Sequence, residues 1–246
     1  MKIATWNVNG IRARAEQVAG WLASEKPDVA CLQEIKALPS QVPALLFEPG
    51  EYWTKWHGGG GYSGVALLVS KALAAAEPAW AHPAFDHENR IVTAEVGPVT
   101  VASVYVPNGG KDMDAKMRFL ESLRQWAAGV QGPLIVCGDL NVARAEIDVY
   151  PKDRKPTAIG QTPAERELFA RLLETGLADV QRKLYPDTPE LYTWWAPWRN
   201  LRERNMGWRI DYVLASEGVA VKARECKVFR ETGTSDHAPL VAEFEL

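Results

Sequence analysis

The sequence predicts an α/β sandwich, two stacked β-sheets covered on the outside by helices, and three observations lead there. Short apolar runs of strand length recur from one end of the chain to the other, with a few amphipathic helical stretches between them. No internal repeat, low-complexity linker or pool of proline and glycine divides the 246 residues. Residues 1–246 are therefore expected to form a single domain with a sizeable core.

The candidate strands, in order, are KIATW, DVACLQ, GVALLV, RIVTAEV, VTVASVYV, PLIVCG, RIDYVLA and LVAEFEL. Several are β-branched and bounded by Gly, Pro, Asn or Asp, the residues that punctuate strands. LIVC is apolar at every position, as expected of a strand covered on both faces. One helix is predicted from Asp114 onward, where Met117, Leu120, Leu123, Ala127 and Val130 recur at intervals of three or four. A second is written in TPAERELFARLLETG: Thr162 caps it, Pro163 fits the first helical position, Glu165 completes a capping box and Gly176 ends it. Leu168, Phe169, Leu172 and Leu173 form its apolar stripe.

Composition excludes several function classes. No stretch approaches the roughly 20 apolar residues of a membrane span, and MKIATWNVNG lacks the succession of a signal peptide. The cytoplasm is the expected compartment, with no membrane partner. Cys31, Cys137 and Cys226 are odd in number, far apart and set among apolar neighbours, which predicts buried thiols rather than disulfides or a zinc site. A net charge of -3 argues against coating nucleic acid by bulk charge but permits a local basic face.

The informative polar residues fall at strand ends. Asn7 follows KIATW, Glu34 follows VACLQ, Tyr105 and Asn108 close VASVYVPN, and Asp139 and Asn141 follow LIVCG. Asp211 sits within RIDYVLA, and Asp236 and His237 precede the last strand. Each alone has an ordinary explanation, since Asn and Asp are common turn residues and an isolated Glu usually faces water. Asp211 is different, because a carboxylate in an otherwise apolar strand needs a partner, and His237 can supply one. Strand ends project side chains from a rigid scaffold into the loop layer, so these groups are expected to converge on one site. Oxygen donors such as Glu34, Asp139, Asn141, Asn7 and Asp236 suit magnesium or manganese rather than zinc. A phosphodiester is the natural substrate of such a cation, with a carboxylate to orient water and a histidine to bind phosphate or move a proton.

The blocks TWNVNGIRAR, CLQEIK, GYSGVALL, YVPNGG, GDLNVA, GWRIDYVLAS and SDHAPL occur in that order along essentially the whole chain. The chain thereby resembles the exonuclease III family of abasic-site (AP) endonucleases, within the endonuclease/exonuclease/phosphatase superfamily. The resemblance implies a four-layered α/β sandwich and magnesium-dependent cleavage of DNA on the 5′ side of an abasic nucleotide, leaving a 3′-hydroxyl. It also implies 3′-to-5′ exonuclease and 3′-end-cleaning activity, with Mn2+ able to replace Mg2+. The implied partner is double-stranded DNA with abasic or blocked 3′ ends, and a monomer is the default state.

By position in the blocks, Glu34 resembles the principal metal ligand, with Asn7 and Asp236 near the metal and phosphate. Asp139 matches the residue that orients or deprotonates the attacking water, and Asn141 would hold the phosphate or the water. Tyr105 would donate its phenol to the phosphate or assist the leaving group. His237, oriented by Asp211, would bind the phosphate oxygen. Trp194, Trp208 and Ile210 align with an apolar pocket for a base-less sugar turned out of the helix, which would sterically reject a nucleotide still carrying its base.

Asn108, Lys111 and Arg209 are expected to touch substrate, with Arg12, Arg14, Arg199, Arg202 and Arg204 adding to a basic face. Lys111 stands where some relatives insert an arginine into the duplex, and a lysine lacks that planar fork. Gln161 stands where relatives can carry an aromatic. Other branches of the superfamily, acting on phosphoinositides, sphingomyelin or RNA, would share Asn7, Glu34, Asp139, Asn141 and SDH. They are not expected to carry GWRIDY with its paired aromatics.

Overall fold

A computed structural model describes residues 1–48 and 50–245. The chain opens with β1 (Lys2–Asn7), α1 (Ile11–Glu25), β2 (Val29–Gln33), β3 (Tyr52–His57), β4 (Val65–Ser70) and β5 (Trp80–Ala81). It continues with β6 (Ile91–Val96), β7 (Val99–Tyr105), α2 (Met113–Gly129), β8 (Leu134–Asp139) and α3 (Pro163–Leu173). The last third holds β9 (Leu177–Asp179), α4 (Val180–Leu184), β10 (Asp211–Ser216), α5 (Glu217–Ala220), β11 (Ala223–Val228) and β12 (Leu240–Phe244). The strands form two six-stranded mixed sheets, ordered β11-β12-β1-β2-β4-β3 and β5-β6-β7-β8-β10-β9.

Side-chain alternation sorts each strand between two cores. In β1, Ile3 points into the core between the sheets, while Ala4 and Trp6 point outward against Ile11, Val18, Trp21 and Leu22 of α1. The inter-sheet core joins Val29, Cys31, Val65 and Leu67 of the first sheet to Val101, Cys137 and Val213 of the second. Phe119, Leu120 and Leu123 of α2, with Phe169 and Leu172 of α3, cover Val104, Val136 and Leu214 on the far face. Helix, sheet, sheet and helix therefore make four layers. All three cysteines are free thiols in the inter-sheet core, as their neighbours predicted, and no described helix is long and apolar enough to cross a membrane.

The α3 cap is as the sequence specifies: Thr162 accepts from the Glu165 N–H at 3.3 Å, and the Glu165 carboxylate accepts from the Thr162 N–H at 3.1 Å. The α2 helix begins at Met113, capped by Asp112 rather than starting at Asp114. The α1 helix was not anticipated. Its N-cap, Gly10, sits at φ 101° and offers no side-chain cap, so the start signal that marks α3 is missing. Burial of Ile11, Ala15, Val18, Trp21 and Leu22 holds it instead. The other unforeseen strands lie at or beside sheet edges: β3, β5, β9 and β11. They are short or only part-buried, so their apolar alternation is weak.

Register positions the site. Asp139 lies opposite Tyr105 across the parallel β7/β8 pair and opposite Asp211 across the antiparallel β8/β10 pair. One row across three strands thus presents Tyr105, Asp139 and Asp211, while β1 and β2 end side by side at Asn7 and Gln33. Gly138 makes this close pairing possible. Its φ is +153°, and a Cβ there would lie 1.8 Å from the Val104 carbonyl oxygen.

Candidate active site

Asn7 joins the two sheets chemically. From the end of β1 its Nδ2 donates to Glu34 Oε1 at 3.0 Å and to Asp139 Oδ2 at 3.0 Å, and its own Oδ1 accepts from the Asn9 N–H at 3.0 Å. Asn7 therefore turns its donor, not its oxygen, toward the carboxylates. In this arrangement it orients Glu34 and Asp139. Glu34 follows β2 with φ +49° and pairs with Lys36 Nζ at 2.6 Å. Asp236 accepts from Asn9 Nδ2 at 2.8 Å and Trp194 Nε1 at 3.0 Å. Burial works to raise both acids. Hydrogen bonds from Asn7 and Lys36 overcome it at Glu34, and the His237 charge with Asn9 and Trp194 overcomes it at Asp236, so both are held below the usual carboxylate range.

Behind them runs a buried line of charge. His237 Nδ1–H donates to Asp211 Oδ2 at 2.9 Å, and its Nε2 lies 3.8 Å from Asp139 Oδ2. Burial disfavours the imidazolium, but the charges of Asp211 and Asp139 prevail and raise its pKa to about 10. Asp139 is pushed up to about 7, chiefly by burial and further by Asp211 and Glu34, with the His237 charge opposing. Asp211 is set by Thr193, whose Oγ1 accepts from the Asp211 and Ile210 N–H groups at 3.0 and 3.1 Å. Asn141, at φ +52°, donates its backbone N–H to Asp139 Oδ1 at 2.9 Å and its Nδ2 to Asp139 Oδ2 at 3.2 Å. Its Oδ1 accepts from Asn108 Nδ2 at 3.2 Å. Burial and the nearby Glu34 and Asp139 charges raise the Tyr105 phenol, so it stays protonated at neutral pH.

Glu34, Tyr105, Asn108, Asp139, Asn141, Asp236 and His237 line one cavity of about 280 Å³ with Trp194, Trp208 and Ile210, while Asn7 and Asp211 lie buried behind its wall. The two indoles meet edge to face, with centroids 5.6 Å apart and planes at 76°, and Ala143 and Val149 pack behind them with Ile210. Gly160, at φ +86°, lets the wall approach: a Cβ there would sit 3.1 Å from the Asn141 carbonyl oxygen and 3.4 Å from the Trp208 ring. A larger cavity of about 650 Å³ opens by Met1, Val96, Pro98 and Val219 at the other ends of the strands. It holds none of the converging groups, so chemistry rather than size singles out the smaller one. Glu34, Asp139 and His237 offer ligand atoms within 4.8 Å of one another, a cluster able to hold a metal ion. With His237 held as an imidazolium by Asp211 and Asp139, the available donors are carboxylate oxygens, which fit a hard divalent cation.

Residues 4–237 match the Endonuclease/Exonuclease/phosphatase family. The chain belongs to that family. It is 37% identical over 251 residues to the DNA repair nuclease APEX1 of Danio rerio, covering 98% of this chain and 81% of that protein. Among solved structures it is similar to an AP endonuclease from Archaeoglobus fulgidus, with TM-score 0.91, 32% identity and 100% of each chain covered. It is also similar to the 3′ phosphatase NExo from Neisseria bound to product DNA hairpin, with TM-score 0.90, 32% identity and 100% of each chain covered. These likenesses place it in the exonuclease III branch of the family, as a nuclease hydrolase.

Within this family frame two expectations need revising. Arg209 is not on a DNA-facing surface: it is wholly buried, donating to Asp148 at 2.7 and 3.1 Å and to Asp179 at 2.8 and 3.1 Å, over the ring of Tyr212. Trp208 and Ile210 face the pocket, so alternation sends the residue between them to the opposite side. Arg202 likewise donates to the carbonyls of Arg230, Thr232 and Ser235, bracing the loop that carries Asp236 and His237. Arg12, Lys111, Arg199 and Arg204 are exposed. Lys111 lies outside the cavity lining, its amine 5.3 Å from the ring centroid of Tyr62. Gln161 is buried, bonded to the Lys155 N–H and the Asp153 carbonyl.

Several supporting residues carried no readable signal in the sequence. Lys36 and Asn9 tie Glu34 to Asp236. Ser235 Oγ donates to the Asn7 carbonyl at 2.7 Å, fastening the SDH loop to β1. Lys116, fully buried, donates to the carbonyls of Asn141 at 2.7 Å and Asn108 at 3.1 Å and pairs with Glu165. Lysine at a helical core position reads as a surface residue until its partners are known.

Proposed function

We propose that this nuclease is a DNA-repair phosphodiesterase that incises the backbone 5′ to an abasic site and leaves a 3′-hydroxyl. Exonuclease and 3′-end-cleaning activities use the same site. Residues 1–246 act as a single domain and a monomer in the cytoplasm, on double-stranded DNA, with Mg2+ or Mn2+. The observation that supports this reading is that one cavity is lined both by Glu34, Asp139, Asp236 and His237 and by the apolar wall of Trp194, Trp208 and Ile210. That pairing favours DNA with a base-less nucleotide over the other phosphoesters of the superfamily.

Glu34 and Asp236, with Asn7 beside them and Asn9 orienting Asp236, would hold the cation next to Asp139. When bound, it supplies Lewis acidity that offsets charge on the phosphoryl oxygens. Asp139 positions the attacking water and accepts its proton, a role its raised pKa suits. His237, charged and fixed by Asp211, presents its Nε2–H to a non-bridging phosphate oxygen. Tyr105, kept as a neutral phenol, donates to the phosphate or the leaving oxygen, and the Asn141 amide holds Asp139 in line. Trp194, Trp208 and Ile210 exclude water and a stacked base from the sugar pocket. Asn108 contacts a phosphate at the cavity wall, and Lys111, with Arg12, Arg199 and Arg204, contacts phosphates outside the cavity.

The test is incision of an end-labelled duplex carrying one tetrahydrofuran abasic analogue, with magnesium and with chelator, beside an intact duplex. Magnesium-dependent cleavage on the 5′ side of the lesion is the expected result. Absence of incision by folded protein, with 3′-phosphate ends still processed, would reassign the enzyme to end cleaning alone.

A further inference from the structure

Away from the active site, three metal-ligating side chains meet where the two sheets share an edge. His57 ends β3, the edge strand of the first sheet, while His82 directly follows β5, the edge strand of the second. Asp86 lies in the segment leading to β6. A ring nitrogen of each histidine and a carboxylate oxygen of Asp86 lie within 4.8 Å of one another. The imidazoles stack with centroids 3.8 Å apart. We propose that His57, His82 and Asp86 form a second, structural metal site that takes a borderline cation of the zinc or cobalt(II) class and clips the two sheet edges together.

The groups behind the ligands are arranged as such a site requires. Asp86 Oδ1 is fixed by the Arg90 and Ile91 N–H groups at 2.8 and 3.2 Å, while Oδ2 accepts from His57 Nε2–H at 2.5 Å, a hydrogen bond that a cation entering the site would replace. His82 Nδ1–H donates to the Ile91 carbonyl at 3.2 Å, which sets the tautomer and leaves the lone pair on Nε2. A backbone carbonyl behind the imidazole and backbone amides behind the carboxylate are the outer contacts that orient metal ligands. The side chains of His57 and Asp86 are only 20% and 13% exposed, while His82 is exposed and gives a cation its route in.

Two imidazoles and one carboxylate select a borderline cation, in contrast to the carboxylate-rich active site. The same segment carries Arg90, whose carbonyl accepts from the Tyr105 N–H at 2.8 Å and whose guanidinium lies 4.8 Å from the Tyr105 ring centroid. A clip on Asp86 would therefore also steady the floor beneath Tyr105.

The test is zinc binding to chelator-stripped, full-length protein by equilibrium dialysis in excess magnesium, comparing the wild type with His82→Asn, Asp86→Asn and Glu34→Gln. The wild type and Glu34→Gln are expected to retain a zinc ion that both His82→Asn and Asp86→Asn bind at least about 10-fold more weakly. Zinc at one hundred times its dissociation constant is expected to raise the wild-type melting midpoint by about 5 °C and to leave that of His82→Asn unmoved. His82 is exposed and Asn keeps the segment polar, so folding should survive, and Asp86→Asn gives an independent reading at a second ligand. Equal zinc affinity in the wild type and both edge variants would overturn the proposal. So would a wild type that retains no zinc at micromolar concentrations.

Discussion

Lys116 lies beneath the catalytic loops with no exposed side-chain area, and its amine has three acceptors: the Glu165 carboxylate and the carbonyls of Asn141 and Asn108. Burial holds its pKa below the ordinary value despite Glu165 alongside, whereas Lys116 helps hold Glu165 below the carboxylate range against burial. Lys116→Met removes the cation but fills similar space, leaving a buried carboxylate and two carbonyls without this donor. Breaking such a pair from one side costs about 3–5 kcal/mol. With a urea m-value of about 3 kcal/mol/M, the unfolding midpoint should fall by more than about 1 M, read by tryptophan fluorescence in metal-free buffer. Adding Glu165→Gln removes the stranded charge and should recover about 1–3 kcal/mol, although Glu165→Gln alone destabilises. Turnover should also fall by about 10- to 100-fold, because Asn141 and Asn108 lose their anchor. A midpoint shift below about 0.3 M, or a double variant weaker than Lys116→Met by the full cost of the single Glu165 change, would refute a coupled buried pair.

Asp139→Asn should lower single-turnover incision by several orders of magnitude while DNA affinity in a filter-binding assay stays within about threefold, because the role proposed for Asp139 is exerted mainly in the transition state. Arg209→Gln should destabilise by about 3–5 kcal/mol by stranding Asp148 and Asp179, and leave the salt dependence of DNA binding unchanged; a shallower salt slope would return Arg209 to the interface. Asp179 offers a pH test. Burial opposes its ionisation, but Arg209 and Arg144 hold its pKa below the ordinary value. A depressed acid contributes stability that is present above its unfolded pKa of about 3.9 and lost as pH falls through the lower folded value. Asp179→Asn should therefore be less stable than the wild type at pH 6, by about 3 kcal/mol, with the gap closing below about pH 4. A constant gap across that range would mean the carboxylate acts only through packing.

The sandwich was legible because its central strands bury both faces, and short, β-branched apolar runs such as LIVC and GVALLV, bounded by Gly and Pro, read as covered strands. The site was legible for a related reason: polar groups stand out where apolar strands end, and Asp211 inside RIDYVLA demanded the partner that His237 supplies. What stayed hidden depends on contacts distant in sequence. The α1 helix has no cap to announce it, and Lys116 is buried only because Glu165, far along the chain, comes to meet it. Arg209 was misplaced for the same reason: its acidic partners, Asp148 and Asp179, come from other segments. Asn7 was found, but the direction of its amide was not, because that is fixed by the Asn9 backbone, Glu34 and Asp139 together.

The central claim is that phosphate chemistry and sugar recognition occupy one cavity, and Trp208→Ala tests it most directly. Single-turnover rates would be measured for the wild type and the variant on a duplex with an internal tetrahydrofuran site and on an undamaged recessed 3′ end. Selective loss is predicted: incision at the abasic analogue falls by about 10- to 100-fold while end digestion stays within about threefold. Equal losses on both substrates, with folding intact, would contradict the account and make Trp208 a packing residue rather than a wall of the sugar pocket.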